Sequence, residues 1–312
     1  MSDASPARVK RRSLENAPVR VVSARANLPT RLRNLWSRHE LLTSLIFSDI
    51  RIKYKNSTLG IFWSMLSPAL TLGIYYLVFS VITKNGYPNF ALYLFSGLVV
   101  WNMFVTAVNM ATGVIVDRAA LVKKVSFPRE ILALANVGAS VVYFAIQLAV
   151  LCLFLLALGH APAWNFLWIL PISFVALYLL TASVAIVMSA VTVYLRDMRH
   201  LMEVLLQLWF WLSPVVYSYQ NTISQRLHDH GLTWMYFLNP ITPIIMTFQR
   251  IFYVKTTVIS TNPPHPVLQI LPKWSMSSFA MMNLTLLAIT IVLFLLSLTI
   301  FGRLEGNFES EL

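Results

Sequence analysis

The sequence predicts an all-α polytopic membrane protein, because it is apolar, poor in charge and divided into long uncharged intervals. Its 312 residues are 57% hydrophobic and 12% charged, which is about half the charged fraction of an ordinary soluble domain. A helix that crosses a bilayer needs about 18–20 mostly apolar residues. Intervals without Asp, Glu, Lys or Arg that reach this length include Lys55 to Lys84, Lys84 to Asp117, Glu130 to Arg196, Glu203 to Arg226 and Lys273 to Arg303.

The third of these intervals is long enough for two spans, and the Gly-His-Ala-Pro sequence at 159–162 marks the break between them. Gly231, Pro240 and Pro243 interrupt residues 230–252, which favours a re-entrant outer segment over a further span. A seven-span chain with its C-terminus outside is the alternative. The predicted six spans cover about residues 59–83, 90–115, 131–157, 166–193, 204–220 and 277–301.

The two ends of the chain flank the predicted membrane domain of residues 56–302. Residues 1–35 are rich in arginine, contain three prolines that oppose helix formation, and lack the early apolar core of a signal peptide. We therefore expect a basic, disordered cytoplasmic tail there. Residues 303–312 form a second, shorter cytoplasmic tail.

Residues 36–55 are predicted to form an amphipathic helix that lies in the membrane interface. Apolar side chains recur there at helical spacing, and Arg51, Lys53 and Lys55 cluster at the end, where cations complement the helix dipole. The Asn-Ser-Thr sequence at 56–58 offers N-cap groups for the first span.

Lysine and arginine are distributed unequally between the two sides of this predicted topology. Of the 24 such residues, 19 lie in the N-terminal segment, the second-to-third and fourth-to-fifth loops and the C-terminus, and 5 lie on the other side. The positive-inside rule places the larger group, and both termini, in the cytoplasm. Because topology accounts for the net charge of +12, and no nucleic-acid recognition fold accompanies the basic tail, no nucleic-acid partner is expected.

The residues absent from the sequence exclude several functions. Five of the six predicted spans have no ionisable residue, and Glu203 stands just before the fifth, so internal ion coupling is disfavoured. No Gly-x-x-x-x-Gly-Lys loop is present, so an active transporter would depend on a separate ATPase. We predict no catalytic residue and no metal site, since His228 and His230 stand alone in a polar loop and Cys152 has no partner cysteine.

Four sequence blocks carry a family resemblance. DIRIKYKNSTLGIFWSMLSP (49–68) resembles the N-terminal motif of the polysaccharide-export permeases of the ABC-2 class, the membrane subunits of exporters for O-antigen, teichoic acid and capsule. LVKKVSFPREIL (121–132), YLRDMRHLMEVLLQLWFWLSPVVY (194–217) and LNPITPIIMTFQRIFY (238–253) are similar to later blocks of that family. The resemblance covers residues 40 to about 302.

The resemblance implies a transport subunit rather than an enzyme. It implies a homodimer in a bacterial plasma membrane, two copies of a separate ATPase that binds ATP and magnesium, and a lipid-linked polysaccharide as cargo. The chain itself would hold no cofactor. An ABC-2 exporter of a small hydrophobic drug or lipid is the first alternative, and a membrane glycosyl- or acyltransferase, which would need a carboxylate constellation, is the second.

The resemblance also implies that two loops contact the ATPase. Phe127 and Pro128 support this independently, because a solvated loop has little need for a rigid, apolar pair. The alternative is that the basic residues are only positive-inside anchors. The expected coupling residues are Asp117, Arg118, Lys123, Lys124, Phe127, Pro128, Arg129, Arg196, Asp197 and Arg199.

Aromatic residues of the first and fifth spans are expected to line a glycan conduit, since the family resemblance places these spans at the dimer interface. Aromatic faces stack on sugar rings, and their polar groups form hydrogen bonds. Packing against the protein or lipid is the alternative for each of them. The set comprises Phe62, Trp63, Tyr75, Tyr76, Phe79, Trp209, Phe210, Trp211, Tyr217 and Tyr219.

The basic end of the predicted interfacial helix suggests a headgroup site. A lipid-linked glycan carries a pyrophosphate at this level, and Arg51, Lys53, Tyr54 and Lys55 could hold it. Attraction to the anionic headgroups of ordinary membrane lipids is the alternative.

Overall fold

The computed structural model describes residues 28–55 and 60–312, which are predominantly helical. The α-helices are α1 (Leu28–Ser37), α2 (His39–Tyr54), α3 (Trp63–Tyr76), α4 (Phe90–Thr112), α5 (Val114–Asp117), α6 (Ala119–Lys124), α7 (Glu130–Ala157), α8 (Ile169–Tyr194), α9 (Met198–Trp211), α10 (Ser224–Asp229), α11 (Thr233–Tyr236), α12 (Ile241–Phe252), α13 (Met276–Leu304) and α14 (Phe308–Glu311). Two short antiparallel strands, β1 (Thr257–Ile259) and β2 (Val267–Gln269), form a hairpin.

Among the described residues, four helices are long and apolar enough to cross a membrane: α4, α7, α8 and α13. Helix α8 packs along α13, and α4 packs against both α7 and α8. Their facing surfaces supply most of a continuous core in which Phe104, Phe248 and Phe279 are fully buried. The predicted all-α polytopic membrane fold is confirmed.

The predicted first span is a composite helix. A 3₁₀ turn at Gly60–Phe62 leads into α3, and a π-helical segment at Leu77–Ile82 continues it. Pro68 lies inside α3, where it removes one backbone hydrogen bond and favours a bend. The predicted cap at 56–58 lies outside the described residues.

The predicted fifth span, at 204–220, has the wrong bounds. Helix α9 begins at Met198 and ends at Trp211, so its 14 residues extend about 21 Å, less than the roughly 30 Å of a bilayer core. Residues 212–218 turn instead, and their buried backbone finds side-chain partners: the Gln249 amide donates to the Pro214 carbonyl at 2.8 Å. An uncharged sequence does not distinguish a helix from a sheltered turn.

Helix α12 forms the inner part of the predicted re-entrant segment. Eleven of its 12 residues are buried, and it packs against α4, α8 and α13. Pro240 precedes its first turn, and Gly231 adopts a positive φ of 67° before α11. The hairpin follows α12, and its end binds the loop after α3, since the Thr261 N–H donates to the Gly86 carbonyl at 3.0 Å.

The N-terminal segment is helical earlier than predicted. Helix α1 begins at Leu28, inside the tail expected at 1–35, and Pro29 occupies its first turn, where a missing N–H costs nothing. A break at Arg38 separates α1 from α2. Residues 1–27 lie outside the described part of the chain.

The C-terminal residues also pack against the bundle rather than forming a free tail. The chain continues from α13 through a 3₁₀ turn into α14, and Phe308 is buried against Phe301 at a ring distance of 5.6 Å. Arg31 of α1 forms an ion pair with Glu305 at 2.9 Å. Helix α1 and the C-terminus therefore lie on one side of the bundle, here called the terminal side, which disfavours the seven-span alternative.

Candidate functional site

Two ion pairs join three elements on the terminal side. Arg118, between α5 and α6, forms an ion pair with Asp49 of α2. The adjacent Asp117 pairs with Arg199 of α9 at 2.8 Å. We call these four residues the ion-pair junction; it brings three of the predicted coupling residues together and adds Asp49, which was not predicted.

Asp49 is held in an apolar environment. Its carboxylate is 5% exposed, whereas the Arg118 guanidinium is 21% exposed. Burial raises the pKa of Asp49 above its ordinary value, although the nearby positive charge of Arg118 acts in the opposite direction. The sequence shows that Asp49 lies just before the basic residues of α2, but it does not show that Asp49 pairs with Arg118.

Gly113 makes room for the second ion pair. Arg199 also donates to the Gly113 carbonyl at 3.3 Å, and a Cβ at residue 113 would overlap the guanidinium. The backbone between α4 and α5 can therefore approach Arg199 only without a side chain at that point.

The other predicted coupling residues differ in exposure. Lys123, Lys124, Arg196 and Asp197 are exposed and lie in the two loops beside the ion-pair junction. Phe127 is half-buried and packs against the chain's own core. Pro128 and Arg129 are also half-buried.

Arg129 belongs to a second charged cluster on the terminal side. Arg31 donates to Glu130 at 3.2 Å and to Glu305 at 2.9 Å, and Arg129 approaches Glu305 at 3.9 Å. Arg31 is 8% exposed and Glu130 is 2% exposed. No sequence signal distinguished Arg31, because it stands among the many arginines of the basic N-terminal segment.

The structure separates the basic residues at the end of α2. Arg51, Lys53 and Lys55 are all exposed, and the Tyr54 side chain lies outside the described atoms, so the three cations differ in their contacts and not in their exposure. Lys53 turns toward α7, and its Nζ lies 4.3 Å from the centre of the Tyr143 ring. Partial removal of water lowers the pKa of Lys53.

Five aromatic residues meet between α3, α4 and α9. The Tyr75 and Phe210 rings stack at 5.4 Å, and Trp101 approaches Phe210 at 5.5 Å. Trp209 meets Phe104 at 5.0 Å. Tyr75, Trp101 and Phe210 border a cavity of about 200 Å³, and of these three only Trp101 was not among the predicted conduit residues.

Polar side chains share this cavity with the aromatic rings. They were not predicted, because single amides in an uncharged interval give no distinct sequence signal. These residues are Thr71, Asn102, Asn109, Glu203 and Gln207. A cavity that combines flat rings with amides suits a ligand with many hydroxyl groups.

The remaining predicted conduit residues do not share one environment. Phe62, Trp63, Tyr76 and Trp211 are exposed, and Phe79 and Tyr217 are half-buried. Tyr219 is 4% exposed and stacks on Tyr236 at 4.9 Å, so it is a packing residue. Its role in lining a conduit stays a prediction.

The four long apolar helices define an integral membrane protein among the described residues. Residues 40–253 match the family model described as ABC-2 type transporter. The chain belongs to the ABC-2 type transporter family, and it is a transport subunit rather than an enzyme.

Three curated relatives are similar to this chain over most of its length. The O-antigen export system permease protein RfbA of Myxococcus xanthus is 31% identical over 222 residues, which are 71% of this chain and 84% of the relative. Two proteins of the same name from Klebsiella pneumoniae are 27% and 26% identical over 219 residues, each covering 70% of this chain and 82% of the relative.

Proposed function

We propose that this chain is the permease subunit of an ATP-driven exporter that moves a lipid-linked polysaccharide out of the cytoplasm. The observation that carries the proposal is the similarity to three O-antigen export permeases along about 70% of the chain. The terminal side faces the cytoplasm of a bacterium, because it carries most of the lysine and arginine. The cavity between α3, α4 and α9 offers the aromatic and amide groups that a glycan needs.

A separate ATPase supplies the energy, with two copies bound below a homodimer of the permease. The exposed apolar side chains of Val125 and Leu195 stand beside Lys123, Lys124 and Arg196 in the two loops. An apolar patch with a basic rim fits a partner surface that has a groove and acidic residues.

The ion-pair junction transmits the movement of the ATPase. Displacement of the α5–α6 segment pulls on Asp49 through Arg118, and on α9 through Asp117 and Arg199. Helix α2 thereby moves relative to the cavity, and Lys53 at its end meets the pyrophosphate of the arriving lipid.

Charge reversal tests this partnership. The tagged permease is expected to copurify with a P-loop ATPase and to stimulate its ATP hydrolysis, whereas K123E/K124E/R196E loses both. The matched control K84E/K255E/K273E changes three basic residues on the opposite side and retains both. Absence of any associated ATPase would contradict the exporter assignment.

Cargo identity needs a second measurement. Cells that lack the permease are expected to accumulate lipid-linked polysaccharide in the inner leaflet, and re-expression of the chain clears it. Normal polysaccharide export together with retention of a small hydrophobic compound would favour the drug- or lipid-exporter alternative.

A further inference from the structure

A pocket of about 400 Å³ opens at the C-terminal end of α2, between α3, α4 and α7. Its centre differs from that of the aromatic cavity beside α9, although Thr71, Asn102 and Val105 border both. Six of its lining residues have charged, polar or aromatic side chains that can contact a ligand: Lys53, Trp63, Thr71, Asn102, Tyr143 and Gln147.

Lys53 places an uncompensated positive charge in this pocket. Within residues 28–55 and 60–312 it forms no ion pair with a carboxylate, and its recorded contact is the face of Tyr143 at 4.3 Å. A lysine that borders a pocket without a carboxylate partner is suited to bind an anionic group of a ligand.

The far wall of the pocket is an amide pair. Asn102 donates to the Gln147 carbonyl oxygen at 2.9 Å, which leaves the Gln147 amide group and the Asn102 oxygen without a recorded hydrogen bond among the described residues. Thr71 adds a hydroxyl group, and the half-exposed ring of Trp63 forms an apolar wall. Amides beside a flat ring are the groups that bind sugar hydroxyls and sugar faces.

Arg51 and Lys55 do not share this environment. Each stands two residues from Lys53, so on a helix they point about 160° away from it, and neither borders the pocket. All three side chains are exposed, and Arg51 and Lys55, which lie outside the pocket, can contact the headgroups of ordinary lipids.

We propose that this pocket binds the junction between phosphate and first sugar in the headgroup of the lipid-linked cargo. Lys53 holds the phosphate, while Trp63 and the Asn102–Gln147 pair bind the sugar attached to it. The lipid chain leaves the pocket between α3 and α7 toward the bilayer. The assignment rests on the proposed function, but it concerns how the cargo is bound and not how ATP hydrolysis drives its transport.

Binding to the full-length permease in nanodiscs, without any ATPase, tests the assignment. Three probes are titrated: a polyprenyl pyrophosphate that carries one hexose, the same lipid without the hexose, and phosphatidylglycerol. K53Q is expected to weaken binding of both pyrophosphate lipids about tenfold, as for the loss of one charge-assisted hydrogen bond. The matched control R51Q changes it by less than about twofold.

A separate variant tests the contact with the sugar. Q147L is expected to weaken binding of the hexose-bearing lipid and to leave the sugar-free lipid unchanged, and K53R should retain binding of both. Equal effects of K53Q and R51Q would overturn the phosphate assignment. Phosphatidylglycerol binding that is equally tight and equally dependent on Lys53 would identify a general anionic-lipid site and overturn the sugar-phosphate assignment.

The outcome is separable from the proposed function. If the permease copurifies with its ATPase and exports polysaccharide while K53Q binds all probes normally, only the pocket assignment fails. If no ATPase associates, the exporter proposal fails whatever the lipid titration shows.

Discussion

Removing either partner of the Asp49–Arg118 ion pair is expected to have unequal consequences for stability. R118Q leaves the Asp49 carboxylate, 5% exposed, without its counter-charge, and breaking a buried pair in this way costs about 3–5 kcal/mol. Since Arg118 is itself 21% exposed, we expect the lower end, about 3 kcal/mol.

D49N should cost much less, about 0–1 kcal/mol. It removes a charge whose burial is unfavourable, keeps the shape of the side chain, and leaves an oxygen that can still accept from Arg118. The double variant D49N/R118Q should resemble D49N alone, which gives a coupling energy of about 3 kcal/mol in magnitude.

The pH dependence has a definite sign. Because burial raises the pKa of Asp49 in the folded chain, the folded state binds more protons than the unfolded state between about pH 4 and the raised pKa. Stability therefore falls as the pH rises through that window and is constant above it, as far as this group is concerned. D49N should abolish this slope, and R118Q should extend it to higher pH.

Thermal or denaturant unfolding of the purified permease in detergent, from pH 4 to pH 8, measures both effects. Transport assays with the partner ATPase then show whether D49N, although stable, exports less glycan per ATP hydrolysed. Equal destabilisation by the two single variants, or a larger cost for D49N, would refute the reasoning from asymmetric burial.

Three further predictions concern close packing on the terminal side. R31A should destabilise the chain by about 3–5 kcal/mol, because it leaves two carboxylates facing each other, whereas the exposed R33A on the same helix should cost less than about 0.5 kcal/mol; equal unfolding midpoints would contradict the buried cluster. G113A should displace the Arg199 guanidinium and cost less than about 1 kcal/mol, as expected for an exposed pair, yet lower the export per ATP hydrolysed; unchanged export would show that this ion pair transmits nothing. G138L should push Ile46 of α2 away from α7 at a cost of about 1–3 kcal/mol and speed proteolysis of the N-terminal helices, while A145L on the exposed face of α7 should do neither; similar proteolysis of the two variants would exclude the contact.

The four long helices correspond closely to intervals that the sequence marked by the absence of charge. The predicted spans at 90–115, 131–157, 166–193 and 277–301 coincide to within a few residues with α4, α7, α8 and α13. Transfer of a segment into a membrane depends mainly on its own composition, so a single sequence carries that information. The bounds of α9 could not be predicted from the uncharged sequence, because a turn sheltered by protein is as apolar as a helix.

The coupling and headgroup residues were predicted only as groups. Sequence placed Asp117, Arg118 and Arg199 in loops on one side, but it could not show that adjacent residues 117 and 118 pair with different helices. It also grouped Lys53 with Arg51 and Lys55, whereas the packing of α2 on α7 turns Lys53 alone into a pocket. Direction of a side chain depends on which face of its helix is covered.

By itself, the sequence determined that this is a helical membrane protein, where its long spans lie, and which loops share the basic side. Those properties are sums over local composition, and each segment contributes almost independently of its neighbours. Only the tertiary structure decided which charges are paired, which aromatic rings border a cavity and which are buried in the core. These depend on contacts between residues far apart in the chain, such as Arg31 with Glu130 and Glu305, because the environment that sets the energy of a charge is made by other helices.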